Sequence, residues 1–543
     1  MKPEIQLAED YYLDNFSRLM EHALKWYQDF LAQVELDWIA RFRQLDKQSQ
    51  CLLVRLYSRK GHYFRSDKLS YAEIPSIPAA LSQLAANDFI TLNSPITEQQ
   101  LAQSLLTKTE LSTLFPEIAK SLNKPQMVAL LKDVPFVHFD QLQFDVIDLC
   151  YADIIDFLLT LFFANTHQDL TQFVLSDLGL NTFEDYQLSK ERRFFSHRSQ
   201  VEQLIALGKL SEQYWTCDRK QLESLKDLSA ALPQPIDHDY VERKRQHLIN
   251  DIARDFERLE DYQTALSLYA QTSLPPSRER QARIFDKLND DKRFSDSVTL
   301  ILTQPYNLSE LEIGQKLQQR LQRKQGQKVS RSTKPPHNQH HLTLDLTQQR
   351  VELAVKDHYE TLGWQVYFSE NTLLNGLLGL ALWEAVFAPV EGAFINAYQF
   401  KPLDLYHAEF YAKRHKLIEL RLKDIANGNC QFIIDNHKVK FGISNPFVNW
   451  THLPEPLLKQ ALKSIPSCML EALLRVQLSD LKLYRNGLPD LIAFKDGEFQ
   501  WIEVKGPGDK LQDNQLRWIK QFNRLGVPFS VCYVESLINP SDT

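Results

Sequence analysis

Gly487-Leu488-Pro489-Asp490-Leu491-Ile492-Ala493-Phe494-Lys495-Asp496-Gly497-Glu498-Phe499-Gln500-Trp501-Ile502-Glu503-Val504-Lys505-Gly506-Pro507-Gly508-Asp509 decides the fold of the C-terminal part of this chain. Leu491 to Phe494 and Phe499 to Val504 are apolar, aromatic and β-branched, and Asp496-Gly497 between them favours a tight hairpin turn. Side chains alternate along a strand, so Glu503 and Lys505 share one face while Val504 points to the other. Asp490 stands at the mouth of the partner strand and can converge with Glu503 on one cation. Such oxygen ligands suit Mg²⁺ or Mn²⁺ rather than zinc. The alternative is an ordinary hairpin edge with a solvated Glu–Lys pair. It would have to explain an acid and an amine flanked by Ile502 and Val504 on a core-like strand.

Working outward, Leu511, Gln515, Trp518, Ile519, Phe522 and Leu525 form one helical stripe that stops at Gly526. Asp509 and Gln512 match a capping box, so Asp509 reads as a helix cap rather than a metal ligand. Gln515 faces the motif from this helix and is a candidate to orient water or DNA. A last strand is expected at Phe529 to Val534. Upstream, the spacing predicts a helix from Val351 to Leu362, a strand from Trp364 to Phe368, and an apolar helix beginning near Ser369-Glu370-Asn371-Thr372. A helix-rich insertion then runs to about Leu483. Lys482, Arg485 and Lys510 flank the motif as candidate phosphate contacts, with plain surface solvation as the alternative.

The rest of the chain reads as mostly helical. Residues 1–70 are expected to form an N-terminal helical domain, in which Arg55, Arg59, Lys60 and Arg65 interleave with Tyr57, Tyr63 and Phe64. That pattern can serve a nucleic-acid surface, or it can be an amphipathic turn with solvated cations. Residues 71–140 contain two short helices around Leu122-Asn123-Lys124-Pro125, compatible with a SAP-like DNA-binding segment. From 141 to 320 the chain reads as entirely helical. Ile252 to Tyr269 resembles a tetratricopeptide helix pair, echoed from Arg283 to Val298, and such units must stack to bury their apolar faces. Arg192, Arg193, His197 and Arg198 around Phe194-Phe195 form a second basic–aromatic cluster. Lys316, Arg320, Arg323, Lys324, Lys328, Arg331 and Lys334 lead into a basic linker at 321–341, where His337, His340 and His341 read as polar linker residues rather than metal ligands.

A length of 543 residues calls for several cores. The net charge of −7 means that a nucleic-acid partner would have to meet a local basic surface. Cys51, Cys150, Cys217, Cys430, Cys468 and Cys532 form no C-x-x-C pair, which argues against a zinc site or a disulfide framework. Glu4, Glu9, Asp10 and Asp14 stand where a secretory leader would be basic and then apolar. Leu373 to Val390 is interrupted by Asn375 and Glu384 and reads as a buried helix, not a membrane span. A soluble, intracellular protein is expected: cytoplasmic in a bacterium, nuclear in a eukaryote.

The C-terminal order of helix, three strands, helix and strand, with P-D and E-x-K on the second and third strands, resembles the PD-(D/E)xK nuclease fold. Gly487 to Leu491 with Glu503 to Leu511 is similar to the virus-type replication-repair (VRR) nuclease domain. Glu370 to Glu384 and Ala397 to Leu405 resemble the nuclease region of Fanconi-associated nucleases. The fold class implied is multidomain: helical N-terminal and tetratricopeptide-like regions, then a mixed α/β nuclease domain at 342–543. The short N-terminus suggests a compact, bacterial-type member without the zinc finger of the animal proteins.

The resemblance implies a metal-dependent phosphodiesterase acting on branched or 5′-flapped DNA as 5′ flap endonuclease and 5′-to-3′ exonuclease, with a role in interstrand cross-link repair. It also implies that Glu370, Asp490, Glu503 and the backbone carbonyl of Val504 hold the metal and that Lys505 is the catalytic amine. Glu370 rests on the resemblance, because the helix dipole equally explains an acid in a first turn. Glu384 is its rival along the same helix. A Holliday-junction resolvase-like nuclease and a non-catalytic helical-repeat scaffold are the competing readings.

Overall fold

The computed structural model describes residues 8–168, 182–330 and 334–537. Glu4 and Arg331, used above, lie outside the described residues. The chain divides into two compact units. The first draws on Met1–Asn181, Ser189–Glu212 and Ile236–Val241, the second on Thr182–Leu188, Gln213–Pro235 and Glu242–Thr543. Among the described residues no helix is long and apolar enough to cross a membrane.

In the first unit, helices Tyr11–Tyr27, Gln33–Gln44, Lys47–Tyr57 and Ile77–Ala86 accompany a three-stranded antiparallel sheet. Its central strand is Val146–Leu149, flanked by Tyr63–Arg65 and Ile90–Leu92. The expectation of unbroken helix from 141 is therefore corrected. Four residues with both neighbours in place are too short a run to show alternation. Helices Glu98–Ser104, Lys108–Leu114 and Lys124–Leu130 form an insertion between the second and third strands, with their own core around Leu101, Leu111, Met127 and Phe136. Lys124, the lysine of the expected turn, donates to the Gln103 carbonyl at 3.0 Å.

In the two basic–aromatic clusters of this unit Arg55, Arg65, Arg193 and Arg198 serve packing, while Arg59, Lys60, Arg192 and His197 are exposed. Arg55 pairs with Glu73 at 2.6 Å and lies over the Tyr12 ring. Arg65 is 9% exposed, bonds Asp67 and Glu110, and covers the Phe144 ring at 3.9 Å. Arg193 pairs with Asp29, and Arg198 pairs with Glu35 and Glu202 while covering Phe157. Guanidinium groups with carboxylate and ring partners of their own are already committed.

In the second unit, helices Tyr262–Tyr269, Ser277–Lys287, Asp291–Thr303 and α1 (Leu308–Lys324) stack as hairpins capped by Asp261, Asp290 and Asn307. Phe285, Phe294, Val298, Ile301, Leu317 and Leu321 join them into one core. Lys316, Arg320, Arg323 and Lys324 belong to α1, and β1 (Asn338–Leu344) takes the end of the expected linker. His340 and His341 are thus strand residues; His340 hydrogen-bonds the Tyr359 hydroxyl and His341 stacks on Tyr533.

After α2 (Val351–Thr361) come β2 (Gln365–Phe368) and α3 (Leu373–Ala381), then the helical insertion, the hairpin of β3 (Leu491–Lys495) and β4 (Glu498–Lys505), α4 (Asp513–Leu525) and β5 (Phe529–Ser536). The sheet runs β1-β5-β4-β3-β2, with β5 parallel to both neighbours and the remaining pairs antiparallel. Both turn residues, Asp496 and Gly497, have positive φ (52° and 86°), as a two-residue hairpin loop requires. Alternation divides the sheet between two cores. Leu491, Ala493, Ile502 and Val504 pack with Val355 and Tyr359 of α2. Ile492, Phe494 and Trp501 pack with Trp518, Ile519 and Phe522 of α4.

Two local expectations change. α4 begins at Asp513 with Gln512 as its N-cap and Gln515 completing the box, while Asp509 accepts from the Gly506 amide in the preceding turn at 3.0 Å. The apolar helix breaks at Leu382, so Glu384 falls in a separate short helix, Trp383–Val386, and pairs with Arg421 at 2.9 Å. Glu384 thus sits on a different short helix from α3, paired with Arg421, while the Glu370 amide bonds the Asp490 carbonyl.

Candidate active site

The hairpin brings the motif together by register alone. Leu491 pairs with Ile502, so one step further sets Asp490 opposite Glu503. Phe368 pairs with Leu491, and the chain continues with the Ser369 and Glu370 amides donating to the Asp490 carbonyl at 2.8 and 3.3 Å. Ser369 Oγ also donates to the Pro489 carbonyl at 3.0 Å. Glu370 is thereby fixed at the edge of the site, exposed, with Asn371 donating to its carboxylate at 3.2 Å. Asn371 adopts a positive φ of 49° and also accepts from the Leu488 amide.

Glu503 is 2% exposed and Lys505 7% exposed, so both charges have been taken out of water. Lys505 Nζ donates to Glu503 Oε1 at 2.7 Å, and Gln515 Nε2 donates to the same oxygen at 2.5 Å. The Val504 amide donates to Asp490 Oδ2 at 2.7 Å. Burial pushes Asp490 up to about 6 against that amide bond, with the Glu370 and Glu352 carboxylates adding to the rise. Burial and then the Asp490 carboxylate push Glu503 up to about 8, with Lys505 pulling the other way. A half-buried carboxylate that raises the pKa of a buried one, with one amine to serve both, describes a local shortage of positive charge. A divalent cation fits that shortage and the all-oxygen donor set.

The fit is to a site with few protein ligands. Among the described residues no three His, Cys, Asp or Glu side chains converge as an enclosed metal cage. Asp490, Glu503, Lys505, Val504 and Gln515 are brought together, while Glu370 stands beside them. Mg²⁺ in particular takes one or two carboxylates and fills its remaining positions with water and substrate phosphate.

Of the candidate phosphate contacts, Lys482 and Lys510 are exposed. Arg485 is half-buried, donates to the Tyr406 hydroxyl and lies 5.5 Å from that ring. Sequence reasoning missed Lys401, which approaches the same ring at 5.2 Å and is held below its usual range by burial and the Arg485 charge. It also missed Lys244 and His247. Partial burial, with the cations of Lys482, Lys244 and Arg243 and against Asp251, lowers the pKa of His247. Glu352 was missed too: in the first turn of α2 it looks like any acid at a helix N-terminus. No sequence pattern links these residues to the motif, because they come from separate elements.

Comparisons with known proteins agree with this picture. The family model described as "FAN1, HTH domain" matches residues 10–91, and that described as "VRR-NUC domain" matches residues 427–536. The Fanconi-associated nuclease 1 homolog of Pseudomonas aeruginosa is 35% identical over 542 residues, covering 96% of this chain and 95% of that protein. The homolog of Oryza sativa subsp. japonica is 24% identical, covering 98% of this chain and 63% of that one. The crystal structure of paFAN1 bound to 2nt 5′ flap DNA with a gap is similar at a TM-score of 0.86 and 33% identity, covering 98% of this chain and all of that one. Identity at this level over nearly the whole of a relative, on a PD-(D/E)xK sheet whose acids and lysine are in place, leads to one conclusion: the chain belongs to the Fanconi-associated nuclease family.

Proposed function

We propose that this nuclease cuts 5′-flapped DNA, as endonuclease near the flap and as 5′-to-3′ exonuclease, with Mg²⁺ or Mn²⁺, in interstrand cross-link repair in the bacterial cytoplasm. The observation that carries this reading is buried Glu503, bonded by buried Lys505 and faced by half-buried Asp490, in a chain similar throughout to paFAN1 on flap DNA.

In this reading Asp490, Glu503 and the Val504 carbonyl hold the cation, with Glu370 as a further acid from the edge. When bound, a divalent ion supplies Lewis-acid stabilisation of the phosphate and lowers the pKa of a water. The protein's own part is positional and electrostatic. Gln515 and Lys505 both hold Glu503 Oε1, fixing the carboxylate's orientation. Lys505 presents a positive charge from a low-dielectric position, where it can orient the attacking water and stabilise charge that develops on the phosphate. Lys482, Arg485, Lys510, Lys401 and His247 contact the phosphate backbone. The insertion at 98–130 and the helical repeats grip the branched duplex.

A scaffold role without catalysis would not need a buried amine aimed at a buried acid. The test is cleavage of 5′-flap and four-way-junction DNA with Mg²⁺ or Mn²⁺ and again with chelator. Metal-dependent 5′-flap cutting is expected. Cutting confined to four-way junctions would favour the resolvase reading, and full activity in chelator would overturn the metal site.

A further inference from the structure

α4 braces the catalytic strands at two points. Gln515, in its first turn, donates to Glu503 on β4. The backbone of Asn514 packs on Gly487, where an added Cβ would lie 2.7 Å from the Asn514 carbonyl carbon. Trp518 Nε1 donates to the neighbouring Asn486 carbonyl at 3.2 Å. One helix turn therefore touches both the strand carrying Glu503 and the loop that delivers Asp490.

The same turn is tied to the helical repeats. Arg517 Nε and Nη2 donate in parallel to Glu312 Oε1 and Oε2, both at 2.9 Å. Glu312 lies near the start of α1, the helix that closes the repeats. The Arg517 side chain is 14% exposed and that of Glu312 41% exposed, so the pair is partly withdrawn from solvent. A two-bond guanidinium–carboxylate contact fixes orientation as well as distance. Lys316 and Asp513 add a weaker contact along the same seam at 3.9 Å.

We propose that the Glu312–Arg517 pair is a positioning device for cleavage, through which the repeat helix α1 holds α4 so that Gln515 stays on Glu503. The inference rests on the assignment of Glu503 to the metal. It makes the repeats part of the catalytic apparatus and not only a DNA grip, with Arg517 and Glu312 acting through Gln515.

The test is single-turnover cleavage of 5′-flap DNA, with KM and calcium-supported flap binding measured alongside. The variants are Glu312→Gln, Arg517→Gln, the reversed pair Glu312→Arg with Arg517→Glu, and Arg517→Gln in a Gln515→Ala background. Each single variant is expected to cleave roughly tenfold more slowly with unchanged flap binding, the scale of coupling between residues in contact. The reversed pair should recover most of the rate, and Arg517→Gln should cost nothing further once Gln515 is gone. Full rate in the single variants, loss of binding in proportion to rate, or a full further loss in the Gln515→Ala background would each overturn the proposal. Glu503→Ala separates the two levels. If it cleaves normally, the reading of the site fails; if it is inactive while the single variants run at full rate, the site stands and the positioning role falls.

Discussion

Val504 donates its amide hydrogen to Asp490 Oδ2, so the strand that carries Glu503 also fixes the acid facing it. The two acids of the motif are thus set by one piece of backbone. In the proposed mechanism, Asp490→Asn keeps an acceptor for that amide while removing the charge. The variant should remain folded, bind flap DNA in calcium more weakly, and lose cleavage by at least about a hundredfold. Thermal melting, metal titration and single-turnover cleavage on one preparation check this, and near-normal cleavage would remove Asp490 from the site.

Lys505→Ala should behave differently. The amine donates to Glu503 and its positive charge opposes a neighbouring cation, so its loss should leave metal affinity unchanged or slightly raised. Cleavage should fall by roughly two to four orders of magnitude, the scale for losing an electrostatic or acid–base catalyst. A variant that loses metal as Asp490→Asn does would show that Lys505 supports the ligands and not the reaction.

Gly487→Ala probes the close approach of α4. Gly487 has φ of 85°, and an added Cβ would meet the backbone of Asn514 at 2.7 and 2.8 Å. The left-handed backbone and the contact with main chain both oppose the substitution, at a cost of roughly 2–4 kcal/mol. A lower thermal midpoint together with slower cleavage is expected. Substitution of Gly497, with nothing within 4 Å of its Cβ position, should show the backbone penalty alone.

His22 gives a pH prediction in the first unit. Burial lowers its pKa from 6.5 to about 4, and its Nε2 has no hydrogen-bond partner. The unfolded chain binds this proton more tightly, so the contribution to stability is full above about pH 6.5 and is lost as pH falls towards 4. His22→Leu should flatten that dependence, by up to about 1.4 kcal/mol per pH unit across the window. Denaturant unfolding of both proteins at pH 7, 5.5 and 4.5 checks it; parallel curves would refute the assignment.

The nuclease hairpin and its following helix were legible in the sequence because their signals are local. Asp496-Gly497 dictates its own turn, Trp518, Ile519 and Phe522 recur on one helical face, and Gly526 ends the helix with a positive φ of 65°. β1 was not legible. Asn338-Gln339-His340-His341 has no apolar alternation, and its partner β5 lies about 190 residues away along the chain, so only tertiary pairing makes it a strand. Asp509 satisfied a capping pattern but spends its carboxylate on the Gly506 turn. Asp490, Glu503 and Lys505 could be read as a group because two strands and one turn carry them. Glu352, Lys401 and Glu312 could not, since each reaches its place through packing between distant elements.

The sheet order bears on how the nuclease part can be isolated. β5 is flanked by β1 and β4, and β3 by β4 and β2, while β1 and β2 both precede residue 370. A fragment beginning at residue 427, where the VRR-NUC match starts, would keep only β3, β4 and β5. Both outer strands of that remnant would bare rows of unpaired amides and carbonyls to water. Such raw edges template self-association, so the excised piece should precipitate or build fibrils instead of working as a miniature enzyme.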